Sequence, residues 1–117
     1  MKSLFGWMNS GGSRTQLPKE WVAVYIKLSG GEFGNHDERE AIRHFSRELD
    51  SEIQGHNAGV FDGDEYGNGE CGLFMYGPNA NNLFAVIEPL LRSWKPLRGG
   101  YAVKRYGSPD KSERVDF

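Results

Sequence analysis

With one cysteine, Cys71, in 117 residues, the chain has no internal disulfide and no four-thiolate zinc or iron–sulfur site. A single thiol fits a reducing compartment, so a cytoplasmic location is expected. Long apolar runs are missing too. None approaches the roughly 20 residues that span a bilayer, so no membrane span is expected. The opening stretch MKSLFGWMNSGGS is broken by Gly6, which leaves it too short for the apolar part of a secretory leader, and no small-residue cleavage site follows. Catalytic signatures are absent as well: the chain contains no P-loop, nucleotide fingerprint, GxSxG or HExxH. No cofactor and no metal are therefore expected, and enzymatic activity is the weaker expectation.

Neither sign of charge dominates, and the formal net charge is only −2. The charges are nevertheless segregated along the chain. Residues 1–31 hold four basic and one acidic side chain, residues 32–70 three basic and eleven acidic, and residues 71–117 seven basic and four acidic. Segregation of this kind bears on partners and solubility rather than on fold.

What is present is a clear alternation of patterns. Residues 1–18 read as a flexible tail around Ser10-Gly11-Gly12-Ser13. WVAVYIKL, residues 21–28, is rich in β-branched and aromatic residues and predicts a strand. Val22, Val24, Ile26 and Leu28 fall on one face of that strand, and Trp21, Ala23, Tyr25 and Lys27 on the other. After a glycine-rich turn, Asn35 with Glu38 forms a capping box that opens a helix. Its apolar stripe is Ala41, Ile42, Phe45, Leu49 and Ile53, and Gly55 is its stop. Residues 59–66 and 70–76 predict a hairpin closed by Gly67-Asn68-Gly69. Asn79 caps a second helix, in which Pro89 predicts a kink or a break. YAVKRY, residues 101–106, is the last predicted strand, and residues 108–117 read as a polar C-terminal tail.

This β-α-β-β-α-β order over residues 19–107 predicts one α+β domain, a ferredoxin-like sandwich with a four-stranded antiparallel sheet and two helices on one face. The expected strand order places the fourth strand beside the first, then the third, then the second. Such a superfold hosts many functions and assigns none.

The acidic loop FDGDEYGNGE, residues 61–70, resembles a cation loop at first sight. An EF-hand register starting at Asp62 places Tyr66 at loop position five and Leu73 at loop position twelve. The bidentate glutamate is therefore missing, and the glycines are accounted for by the hairpin. His36, Glu40, His44 and Glu48 are spaced four apart, which predicts an exposed polar helix face with i,i+4 pairing rather than a metal pair. Cys71, on an inner strand, reads as a small core hydrophobe.

Two surfaces remain as candidates. The first is acidic: Asp62, Asp64, Glu65 and Glu70, backed by the first helix, would meet a protein partner with a basic surface. That makes the leading expectation a non-enzymatic protein-binding module. The phrases FDGDEYGNG and LFMYGPNANNLFAVIEPLL look like parts of small bacterial proteins. By analogy of size and charge with one-domain inhibitors, a toxin-immunity protein is one concrete form. Self-association of the acidic edge with the basic edge is an alternative. The second surface is aromatic: Trp21, Tyr25, Phe74 and Tyr76 on the open sheet face parallel the stacking platform of an RRM, so RNA or single-strand binding is the other reading. CGLFMYG lacks the opening basic residue of the matching RRM motif, and the chain lacks the basic excess of a nucleic-acid binder. A small enzyme without a recognisable motif stands last.

Overall fold

The computed structural model describes residues 20–108 and 111–117. The expected N-terminal tail lies outside the described residues. Strand β1 (Glu20–Lys27) leads into helix α1 (His36–Gly55), then the hairpin β2 (Val60–Gly67) and β3 (Glu70–Gly77). Helix α2 (Ala80–Ser93), a short 3₁₀ turn (Lys95–Leu97), β4 (Tyr101–Arg105) and β5 (Ser112–Asp116) follow. The class is α+β. All strand pairs are antiparallel, in the order β2-β3-β1-β4-β5. The first four strands neighbour one another in the expected order.

The sheet has five strands rather than four, because β5 forms within the stretch read as a polar tail. It pairs along β4, with Val115 opposite Ala102 and Glu113 opposite Lys104. Below it, Phe117 donates its backbone N–H to the Gly100 carbonyl and accepts from Gly99. An edge strand needs few buried side chains, since its outer rim faces water; here Val115 and Phe117 reach the core margin.

Each local signal has a visible cause. The Asn35 side chain accepts from the Glu38 amide at 2.8 Å, and Glu38 returns a carboxylate to the Asn35 N–H at 3.1 Å, closing the capping box. α1 ends as the Ala58 N–H reaches back to the Ile53 carbonyl and the Asn57 N–H to that of Gln54, with Asn57 at φ 54°. That is the Schellman arrangement, and it puts Asn57, not Gly55, in the left-handed position. At the β2–β3 turn both Asn68 and Gly69 have positive φ, 56° and 79°, the signature of a type I′ turn that matches strand twist. α2 runs unbroken through Pro89, so the expected break is absent. The missing N–H would have bonded the Ala85 carbonyl, and both residues lie on the exposed side, where water can satisfy it.

The core lies between the sheet and the helices. Val22, Val24, Leu73 and Met75 are fully buried against Leu49, Ile53, Leu83 and Ile87. Each such side chain is worth roughly 1.5–3 kcal/mol on burial. Strand alternation then sends Trp21, Tyr25, Phe74 and Tyr76 to the opposite face, which neither helix covers.

Candidate functional site

The cross-strand register assembles this open face. Tyr25 on β1 stands between Gly72 on β3 and Tyr101 on β4, and Trp21 stands between Tyr76 and Arg105. The rings touch. Tyr25 stacks on Tyr101 at 4.9 Å between centroids and meets Phe74 edge-on at 6.1 Å. The Arg114 guanidinium lies 3.8 Å from the Tyr101 centroid, and that of Arg105 lies 5.1 Å from Trp21. Tyr76 is only 3% exposed, with its hydroxyl 3.5 Å from the Asp62 carboxylate. Burial first, and then Asp62, pushes that hydroxyl up to about 12. Tyr25 is also raised, by burial first and then by Tyr101 and Glu70.

At one end the aromatic face opens into a groove of about 430 Å³, lined by Tyr25, Phe33, Phe74, Glu32, Glu65 and Glu70. Gly72 lies at its base. A Cβ there would come within 3.0 Å of the Phe74 ring and 3.1 Å of Tyr25, so a glycine lets both rings lean over the strand. One wall is the β2–β3 hairpin and the other the loop of residues 28–34. Backbone hydrogen bonds join the two walls: Leu28 N–H to the Gly69 carbonyl at 2.8 Å, and Gly69 N–H to the Glu32 carbonyl at 2.9 Å. The loop is held to α1 as well, since the Glu38 carboxylate accepts from the N–H groups of Ser29 and Gly30 at 2.7 and 2.8 Å. The groove is thus preformed by backbone contacts.

The four acidic residues singled out from sequence do not form one surface. Glu65, opposite Gly72, and Glu70, opposite Lys27, belong to the open face. Asp62 occupies the bulge between Phe61 and Gly63 and leans toward Tyr76. Asp64 pairs with Leu73 and therefore points to the helix side of the sheet. Its charge helps raise Cys71 there, after burial, and the thiol is pushed up to about 12. A buried thiol so rarely ionised is a poor nucleophile. On α1, Glu40 pairs with Arg43 at i,i+3, not with a histidine at i,i+4. Among the described residues, no group of three or more His, Cys, Asp or Glu side chains could hold a metal ion, and no helix is long and apolar enough to cross a membrane.

The chain matches no protein-family model, no curated protein and no solved structure. Three of the four aromatic residues are already engaged. Tyr101 already stacks on Tyr25, Arg105 lies over Trp21, and Tyr76 is buried. Sequence reasoning missed Glu32, Phe33, Tyr101 and Arg114, and read Arg105 only as part of a basic edge. Phe33, 55% exposed in a glycine-rich turn, was the one visible signal, because an exposed aromatic there has no folding role.

Proposed function

We propose that this chain is a non-enzymatic protein-binding module. Its contact surface would be the open sheet face, carried on a ferredoxin-like core extended by β5. The observation that carries this reading is the convergence of Glu32, Glu65 and Glu70 with half-buried Tyr25 and Phe74 in one preformed groove. Aromatic anchors beside a charged rim are how protein interfaces combine affinity with choice of partner. A basic protein surface is the complementary partner, and inhibition or neutralisation of that protein is one form such binding takes. A cytoplasmic setting belongs to the same proposal and fits the unpaired, buried thiol of Cys71.

The test is direct. The partner is recovered by low-salt affinity purification, and its affinity is then measured for the parent chain and for Glu65→Gln with Glu70→Gln, at low and high salt. The double variant binds more weakly, and its affinity changes less with salt. Equal binding at low salt overturns the acidic-face reading. Nuclease-sensitive absorbance at 260 nm, with no stoichiometric protein, favours nucleic acid instead.

A further inference from the structure

The groove does more than present negative charge. We propose that it is a socket for the guanidinium group of an arginine projecting from the partner's basic surface, an inference that rests on the protein-binding reading above. Three features select this occupant. Carboxylates stand on both walls, Glu32 on the loop side and Glu70 on the hairpin side, so a cation entering the groove meets negative charge from two directions. Phe33, which is exposed, and Phe74, which is half-buried, line the same groove and supply the aromatic surface on which a planar cation stacks. The same sheet face already holds guanidinium groups over two other rings, Arg105 on Trp21 and Arg114 on Tyr101. Among the described residues, no cation lies over Phe33 or Phe74, and Lys27, directly across from Glu70 in the register, forms no ion pair with it.

Arginine suits this site better than lysine. Its flat, weakly hydrated fork stacks on a ring while giving parallel hydrogen bonds to a carboxylate, whereas an ammonium is a compact, strongly hydrated point charge. The hydrogen bonds that join the two walls fix one against the other, so little ordering is needed on binding.

The experiment titrates the full, ¹⁵N-labelled chain with capped Ala-Arg-Ala, and in parallel with the peptide carrying citrulline, the neutral isostere of arginine. Saturable shifts of the Gly67, Asn68 and Gly72 amides are expected with arginine and not with citrulline. Lysine in the same peptide binds more weakly. Glu70→Gln lowers the arginine affinity about fivefold, the scale of a partly exposed charge pair, while Asp64→Asn, on the other side of the sheet, leaves it unchanged. Spectral dispersion shows that each variant is folded.

Absence of a saturable shift overturns the proposal, as do equal shifts with citrulline or indifference to Glu70→Gln. Residues 1–18 contain one arginine, Arg14, and shifts that emerge only in Arg14→Gln overturn the partner assignment in favour of the chain's own tail. If the peptide fails while a basic partner still loses affinity on Glu65→Gln with Glu70→Gln, the socket falls and the acidic-face reading stands. If the peptide binds but that partner is indifferent to the same substitutions, the socket stands and the broader reading falls.

Discussion

The two faces of the central strands are built from alternate residues of the same short segments, yet they obey different rules. On the helix side, Val22, Val24, Leu73 and Met75 are wholly excluded from water. On the open side, Tyr25, Phe74 and Tyr101 are half-buried, and they contact one another and arginines rather than helices. Aliphatic side chains gain only by leaving water. Aromatic rings gain also from edges, faces and cations, so they can stabilise a surface that is still partly wet. One strand, β1, therefore supplies a core with its even positions and a partly wet aromatic surface with its odd ones.

The sharpest way to break this contrast is to truncate one residue on each face. Leu73→Ala is expected to cost about 2–5 kcal/mol, the range for a buried leucine whose cavity cannot fully collapse. It should be read as a shift in the urea midpoint at constant slope. Tyr25→Leu keeps an apolar side chain but loses a stack and an edge contact, and is expected to cost about 1 kcal/mol. Its larger effect should fall on ligand binding, because the ring forms part of the groove. Should Tyr25→Leu destabilise as much as Leu73→Ala, the open face would be a second core rather than a recognition surface.

The inner face was legible because burial leaves a periodic trace. Apolar residues recur every second position in β1 and β3, and every third or fourth in the helices; those periods located the elements, and their β-α-β-β-α-β order led to the right strand neighbours. β5 left almost no such trace. Its five residues, Ser-Glu-Arg-Val-Asp, contain a single apolar side chain, because an edge strand over the core margin needs no more. The groove was illegible for another reason. It depends on Glu32 and Gly69, far apart in sequence, meeting through one backbone hydrogen bond, and no local pattern encodes that meeting. Asp64 was misgrouped with Glu65 because closeness in sequence was read as a shared surface, although adjacent strand residues point to opposite faces. The bulge at Asp62 shifts the alternation once more.

The loop of residues 28–34 sits where the two faces meet, and it gives the finest test of how they are joined. Glu38 belongs to α1 but holds this loop. Its carboxyl lies below the usual range, chiefly because the backbone N–H of Ser29 donates to it, with further bonds from the Asn35 and Gly30 amides and the Ser29 hydroxyl, against some opposing desolvation. A carboxyl lowered in the folded state binds its proton more weakly there than in the unfolded chain. Its stabilising contribution is therefore complete above the unfolded value of about 4.5, and it fades as pH falls through the lower folded value. Glu38→Gln should accordingly destabilise at neutral pH by less than either truncation above. The gap to the parent chain should narrow as urea midpoints are taken at successively lower pH. At neutral pH the same variant should speed hydrogen exchange at Ser29 and Gly30 and leave Leu73 protected. A gap that stays constant down to strongly acid pH would mean that shape, not charge, fixes the loop. Faster exchange at Leu73 as well would mean that the wall of the groove and the core open as one unit, and the separation of the two faces would fail.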